Sequence, residues 1–245
     1  MSFLVFILGL VFGSFVSALS YRLPLGISFV SGRSFCPKCN RKISWYDNIP
    51  LLSFIILGGK CRNCGKKISY RYPIIELSTA LGFILIYSFG QGRTLSIPLL
   101  LFVFIVLEVI FIIDLEHKVI FDGLTYLLFI FFLTTSLFIK DQNFYLNLLI
   151  AFSLSLFLLF LHLVTKGHGM GLGDVKLALP LGFFMGFPLG VLWIFISFLT
   201  GAILGVILIL IGKAKFGKQI PFGPFLVFSF WLVFLFGEKL ILFLR

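Results

Sequence analysis

The sequence predicts an all-α, polytopic integral membrane protein with about eight transmembrane helices. Of the 245 residues, 60% are hydrophobic and only 12% are charged. Soluble domains carry roughly 45–50% apolar and about 25% charged residues, so a soluble core of this length could not bury so much apolar surface. The apolar residues also collect in long runs separated by short polar loops, which is the pattern of a chain that crosses a membrane repeatedly.

Most of the apolar runs are long enough for membrane-spanning helices, which need about 20 residues to cross about 30 Å of hydrocarbon. The run 174–187 is short and contains Pro180, so it is either tilted or paired with the next run through a turn at Phe187-Pro188. Eight spans are therefore expected, with seven as the alternative. The runs are 2–20, 73–90, 97–114, 122–139, 144–164, 174–187, 189–212 and 222–244.

The placement of basic residues predicts how the spans are oriented. Ten of the 20 basic residues lie between Arg22 and Arg71, against one acid, Asp47. Three more lysines lie in the loop 213–221, an even number of spans away. Because basic loops stay in the cytoplasm, the polar loop 21–72 is predicted to be cytoplasmic and both termini to lie outside.

All four cysteines lie in that polar loop as two CxxC pairs, Cys36 with Cys39 and Cys61 with Cys64. Two such pairs at this separation match the four-thiolate zinc pattern, in which each pair directs both sulfurs at one metal. Two disulfides or four unrelated thiols are the alternatives, and a reducing cytoplasm disfavours disulfides. Four protein ligands leave no open position on zinc, so a small zinc-binding lobe with a structural metal is predicted between the first two spans.

A hydrophobic stretch separates the two cysteine pairs. From Trp45 to Leu52 the chain reads WYDNIPLL, and an apolar run continues to Leu57. Three positions for this stretch remain open from the sequence: on the membrane surface, packed beneath the helices, or in the core of the zinc lobe.

Two acids at the ends of apolar runs are candidates for chemistry, because ionisable residues in spans are costly and mark function. Asp114 ends the third run and Asp174 begins the sixth, and the predicted topology gives both the same depth at the cytoplasmic boundary. Two carboxylates that meet share a proton, which equips them for aspartic proteolysis. Taken alone, each is better explained as a helix-end or first-turn charge, and Glu108 is expected to form an interhelical hydrogen bond.

The segment His168–Lys176 reads HGMGLGDVK, with alternate glycines before Asp174. Such glycines would let the backbone approach a substrate strand closely. Gly171 and Gly173 are therefore predicted substrate contacts, and Lys176 of the same segment is predicted as a third. The chain contains neither the HExxH motif of zinc proteases nor the GxSxG motif of serine hydrolases, so these two enzyme classes are unsupported.

These motifs resemble those of the GxGD intramembrane aspartyl proteases, and most closely those of the prepilin leader peptidases of type IV pili and type II secretion. GMGLGDVK resembles the GxGD motif, and IIDLEHKVIFDGLT resembles the region of the family's first aspartate. Phe121 replaces the proline often found before the second acid of that region. The block from CPKC to CRNCGKKISYRYPIIE resembles the cytoplasmic cysteine domain. Two further matches are GSF with RLP in the first 24 residues and IPFGPF at 220–225.

The resemblance implies a membrane aspartic endopeptidase of the bacterial cytoplasmic (inner) membrane. Such an enzyme removes the basic leader from type IV prepilins or type II secretion pseudopilins, after a glycine at the cytoplasmic face. By motif, Asp114 and Asp174 would be the catalytic pair. Family members that have the cysteine domain also N-methylate the new N-terminal residue with S-adenosylmethionine, so methylation is implied here too. The chain would divide into a first helix, 1–20, a zinc domain, 21–72, and a protease domain, 73–245.

Three other readings predict different partners or activities. One is a peptidase without methyltransferase activity. A second is a proton- or cation-coupled transporter, which predicts acids near the membrane midplane and does not explain the cysteines. A third is a membrane scaffold with a zinc-finger interaction domain, which does not explain the GxGD run. The net charge of +11 is concentrated in loops, so the predicted partners are prepilin substrates and membrane lipids, with no nucleic acid.

Overall fold

The computed structural model describes residues 1–28, 34–91, 95–212 and 220–244. Within these ranges the chain is almost entirely helical, with one 3₁₀ turn at Trp45–Asn48 and no strand longer than an isolated bridge. The helices of the described ranges are α1 Ser2–Arg22, α2 Leu52–Ile56, α3 Arg71–Phe89, α4 Ile97–His117, α5 Asp122–Ile139, α6 Phe144–Val164, α7 Leu172–Met185, α8 Leu189–Leu210 and α9 Gly223–Leu244.

Seven of the described helices are long and apolar enough to cross a membrane, namely α1, α3, α4, α5, α6, α8 and α9. The predicted class, an all-α polytopic membrane protein, is confirmed. All eight predicted runs are helical, but α7 has only 14 residues. At 1.5 Å per residue it is about 21 Å long, which is short of the roughly 30 Å of hydrocarbon. The structure therefore agrees with the alternative count of seven full-length spans.

Two predicted helix boundaries differ from the observed ones. Asp114 does not end its helix, because α4 continues to His117. Polar residues prolong the helix there, since its hydrogen-bond ladder does not require apolar side chains. Asp174 is the third residue of α7 rather than the first. The predicted turn at Phe187-Pro188 is present between α7 and α8.

The orientation in the membrane stays a prediction. Of the basic residues on which it rests, Arg33, Lys213, Lys215 and Lys218 lie outside the described residues. The chain divides by its internal contacts into two compact units, Met1–Val109 and Ile110–Arg245, and each is described by itself. The predicted division by position relative to the membrane, at residues 20 and 72, is a different one and also stays a prediction.

In the first unit, α1 and α3 pack with their backbones in close approach. A Cβ on Gly9 would lie 2.5 Å from the Cα of Ala80, and one on Gly13 would lie 2.6 Å from the Cα of Glu76. The four-residue spacing puts both glycines on one face of α1, as in the small-residue contacts of membrane helices. A larger side chain at either position would force the two helices apart.

The interhelical hydrogen bond expected of Glu108 is confirmed. Ser78 Oγ on α3 donates to Glu108 Oε1 on α4 at 2.8 Å. Glu108 is buried, and a buried carboxylate needs such a partner to offset the loss of hydration. Glu108 therefore has a structural role in joining these two helices.

In the second unit, α7 is the most enclosed helix. It contacts α5, α6, α8 and α9, and nine of its 14 residues are buried. Gly182 lets α6 approach, since a Cβ there would lie 3.2 Å from the Cα of Ala151. Ser155 Oγ on α6 also donates to the carbonyl of Val175 at 2.9 Å. Neighbouring helices rather than lipid cover most of this short helix. A helix too short to cross the hydrocarbon layer is therefore tolerated here.

Candidate active site and candidate metal centre

A cleft of about 300 Å³ lies in the second unit, where the end of α4 meets the beginnings of α5 and α7. Both Asp114 and Asp174 line it. Two carboxylates that meet in one enclosed cleft favour a shared proton over two ionised groups. The structure thus brings together the two acids that the sequence singled out. The predicted substrate contacts Gly171, Gly173 and Lys176 line the same cleft.

Both acids are enclosed by protein, with 5% of Asp114 and 7% of Asp174 exposed. Among the described residues, Asp114 Oδ2 and Asp174 Oδ1 are buried and lack a hydrogen-bond partner. Buried carboxylate oxygens are otherwise almost always paired, and an orphan needs an explanation such as a water or a catalytic role. Each acid therefore has one enclosed oxygen that no described protein group hydrogen-bonds.

Asp174 is held by the first turn of its own helix. The backbone N–H of Gly171, which precedes α7, donates to Asp174 Oδ2 at 3.2 Å. Gly171 also lies directly against the acid, since a Cβ on it would lie 3.1 Å from Oδ2. An acid in the first turn is stabilised by the free N–H groups of the helix start. The first-turn interpretation of Asp174 and its place in the cleft are therefore compatible.

Asp114 is held from another part of the chain. A Cβ on Gly223, the first residue of α9, would lie 2.6 Å from Asp114 Oδ2, and the Gly223 backbone N–H lies close to the same carboxylate. Lys118 directly follows α4 in a left-handed conformation, with φ of 56°, and its charge attracts Asp114. Asp114 thus has a glycine directly against it and a cation nearby.

The glycine run has a packing role besides its predicted role in substrate contact. A Cβ on Gly173 would lie 2.9 Å from the Cβ of Ile120, so the start of α7 presses against the chain between α4 and α5. The preceding loop is tied to α6, where His162 Nδ1 donates to the Met170 carbonyl at 2.7 Å. The Gly169 N–H also bonds Thr165 Oγ1 at 3.2 Å. These contacts fix the backbone on which Asp174 depends.

Lys176 forms an ion pair at the mouth of the cleft. Its Nζ lies 2.7 and 2.8 Å from the carboxylate oxygens of Asp122, and the side chains are 39% and 52% exposed, respectively. Asp122 opens α5, and sequence reasoning assigned it no role. The only feature of the sequence that could have pointed to Asp122 is its place in the motif IIDLEHKVIFDGLT, which resembles the region of the family's first aspartate.

Gly223 was also missed as a site residue, although it lies within the IPFGPF segment that the resemblance singled out. Nothing in the local sequence links that segment to Asp114, because the contact depends on how α9 packs. The sequence therefore located the IPFGPF motif but did not show which residue it contacts.

The four cysteines of the first unit converge on one point. Their sulfur atoms all lie within 4.8 Å of one another, and each thiol is free rather than paired in a disulfide. Four sulfurs about 2.3 Å from a tetrahedral zinc are about 3.8 Å apart, so the cluster fits such an ion. The alternatives of two disulfides and of four unrelated thiols are not supported by this arrangement.

The two CxxC pairs form matching knuckles. In the first, the Asn40 N–H donates to the Cys36 carbonyl at 2.8 Å, and in the second the Gly65 N–H donates to the Cys61 carbonyl at 2.9 Å. Asn40 and Gly65 occupy equivalent left-handed positions, with φ of 55° and 65°. These are the residue types that adopt this conformation most readily.

The second knuckle prepares one sulfur for metal binding. The backbone N–H groups of Cys64 and Asn63 lower the pKa of the Cys61 thiol to about 7. Hydrogen bonds from N–H donors stabilise a thiolate, and the thiolate is the form that binds zinc.

Comparison with known proteins gives matches along nearly the whole chain. A family model described as "Bacterial Peptidase A24 N-terminal domain" matches residues 7–89, and one described as "Type IV leader peptidase family" matches residues 101–206. Together these two matches cover well over half of the sequence.

Several curated relatives carry the name prepilin leader peptidase/N-methyltransferase. The protein of Bacillus subtilis is 35% identical over 98% of this chain and 96% of its own length. That of Pseudomonas aeruginosa is 35% identical over 96% and 90%, and that of Vibrio cholerae is 34% identical over 93% and 94%. No solved structure matches the chain significantly. The resemblance inferred from the motifs is confirmed.

Proposed function

The chain belongs to the type IV leader peptidase family, and from that membership we infer that it is a membrane peptidase that removes leader peptides from prepilins and N-methylates the new N-terminus. The observation that carries the reaction type is the shared cleft of Asp114 and Asp174, which come from two different helices. Paired carboxylates that share a proton supply both a base and an acid for peptide hydrolysis.

We propose Asp114 and Asp174 as the catalytic pair. The ionised member takes a proton from a water molecule, and the water oxygen bonds to the carbonyl carbon of the scissile peptide. The protonated member gives its proton to the carbonyl oxygen, which forms a tetrahedral diol. When the diol collapses, the C–N bond breaks and the leaving amine takes a proton from the protonated carboxyl group. One diol hydroxyl returns its proton to the other carboxylate as the new carboxyl product forms, so the pair again holds one proton.

The proposed substrates are type IV prepilins or type II secretion pseudopilins, cut after a glycine that follows the basic leader. Gly171 and Gly173 are proposed to lie along the substrate backbone, and Lys176 to contact it at the mouth of the cleft. The proposed location is the bacterial cytoplasmic (inner) membrane. The cleft and the cysteine lobe are both proposed to face the cytoplasm, as the distribution of basic residues suggests.

The proposed structural metal is zinc, held by Cys36, Cys39, Cys61 and Cys64. When bound, it cross-links the two knuckles of a lobe that has little apolar core of its own. The fourfold sulfur set leaves no position for a substrate, so the metal takes no part in hydrolysis. S-adenosylmethionine is the proposed methyl donor, and no residue of the chain is assigned to it.

The test of the catalytic pair uses purified protein and a prepilin substrate, with Asp114→Asn and Asp174→Asn compared with the unaltered chain. Each substitution removes a proton-transferring group from the cleft, so cleavage falls by at least about 10³-fold. Asp141→Asn is the matched control. Asp141 accepts hydrogen bonds from Asn143 and Asn147 at the start of α6, and it is not among the residues that line the cleft. A folded Asp114→Asn or Asp174→Asn protein that cuts at the normal rate refutes the pair.

Methylation is followed in the same samples with isotopically labelled S-adenosylmethionine. The expected result is one labelled methyl group on the new N-terminus of the cleaved product. Complete cleavage without any label in the product would contradict the methyltransferase activity and leave the peptidase assignment intact.

A further inference from the structure

The described part of the loop between α1 and α3 exposes a group of large apolar side chains. Trp45 is 74% exposed, Ile55 72%, Ile56 69% and Leu52 50%. All four belong to residues 45–56, which we call the WI segment. Several large apolar side chains exposed within one short segment point to an interaction surface.

The WI segment has a defined backbone. Its 3₁₀ turn, Trp45–Asn48, is followed by the single-turn helix α2, and the two contact each other. Leu51, directly before α2, has a positive φ of 58°. The exposed side chains are therefore carried on two short helical turns that contact each other.

One hydrogen bond determines how deep the WI segment lies relative to the spans. The Leu51 backbone N–H donates to Glu76 Oε2 at 2.8 Å. Glu76 is five residues into α3, which has 19 residues, so it lies about 7.5 Å along a helix of about 28 Å. A helix of that length only just covers the hydrocarbon layer. The backbone of the WI segment at Leu51 is thus held level with the first turns of α3, near the edge of the hydrocarbon layer.

The charges around the WI segment favour lipid over water-soluble partners. Its one acid, Asp47, is paired with Arg62 at 2.7 Å, and the described polar loop contains no other acid. Basic residues in excess attract anionic headgroups. Tryptophan and leucine are side chains that the boundary of a bilayer favours, and the WI segment exposes both.

We propose that the WI segment is an interfacial membrane anchor, with Trp45, Leu52, Ile55 and Ile56 inserted at the headgroup–acyl boundary of the bilayer. Glu76 tethers the segment at this depth through its bond to Leu51, and without that bond the segment would move toward the water. The anchor holds the cysteine lobe flat against the membrane between its two attachments, α1 and α3. This property is independent of the proposed peptidase reaction.

Trp45 itself is the probe for the anchor. The full chain is reconstituted in vesicles of phosphatidylcholine with phosphatidylglycerol, and the emission of Trp45 is obtained by subtracting the Trp45→Phe variant. Trp193 and Trp231 are present in both proteins and cancel. The expected result is strong quenching by lipids brominated near the headgroup end of the acyl chain and weak quenching by aqueous iodide.

Two results would overturn the anchor. Strong quenching by iodide with none by brominated lipid would mean that the WI segment lies in water. Protection from both quenchers would mean that protein covers it, either another part of this chain or a second copy.

A matched pair of substitutions tests whether Glu76 holds the WI segment at this depth. Glu76→Leu removes the acceptor for the Leu51 N–H, whereas Glu76→Gln keeps an amide oxygen that can accept it. Glu76→Leu is expected to raise iodide quenching of Trp45 several-fold, and Glu76→Gln to leave it unchanged. Equal quenching in the two variants would remove Glu76 from the proposal, and the result with the unaltered chain decides the anchor even where Glu76→Leu does not fold.

Discussion

Gly223 lies directly against Asp114, with no room between them for even a methyl group. The Cβ of an alanine at Gly223 would lie 2.6 Å from Asp114 Oδ2, which is closer than a carbon and an oxygen approach without bonding. This contact gives a physical role to the IPFGPF segment. It also means that α9 determines the position of an acid that belongs to α4.

Gly223→Ala is expected to lower kcat for leader cleavage about 10²-fold, because a displacement of about 1 Å at a catalytic group costs that much. KM should change little, since Gly223 is not among the residues that line the cleft. Steady-state kinetics with a purified prepilin measure both constants. Gly123→Ala is the control: a Cβ there meets nothing within 4 Å, and it should cleave normally. An unaltered kcat in Gly223→Ala would show that Asp114 does not depend on this contact.

Lys176→Met is expected to raise KM for the prepilin several-fold with a smaller effect on kcat, since Lys176 is at the exposed mouth of the cleft rather than beside the acids. The lost ion pair with Asp122 should cost little stability, because exposed pairs contribute little. Lys140→Met, at the far end of α5, is the control for loss of a lysine. If KM stays at its normal value in Lys176→Met, the proposed substrate contact is wrong.

Zinc content tests the cysteine cluster. The purified protein is expected to hold about one zinc per chain by mass spectrometry of the metal. Cys61→Ser removes a ligand and should lower the zinc content strongly, with faster proteolysis of the lobe. Asn63→Ala keeps the backbone N–H that stabilises the Cys61 thiolate, and it should retain the metal. A protein that is free of zinc after gentle purification would count against the site.

Much of the fold followed from local properties of the chain. The apolar runs predicted where the long helices lie, because the length and hydrophobicity of a membrane span can be read directly from the sequence. Helix ends were less predictable: α4 passes Asp114 and continues to His117, since polar residues at a membrane boundary do not stop a helix. The convergence of the cysteines was also predictable, because each CxxC pair encodes its own knuckle and only the meeting of the two pairs is long-range.

The sequence by itself determined the membrane class, the cysteine set and the two acids, Asp114 and Asp174, as candidates at matching helix ends. Only the tertiary structure decided that these acids share one cleft, that Gly223 lies against Asp114, and that Leu51 bonds Glu76. The physical reason is the range of the interactions. Hydrophobic length and ligand spacing act between neighbours in sequence, whereas these contacts depend on how helices far apart in the chain pack together.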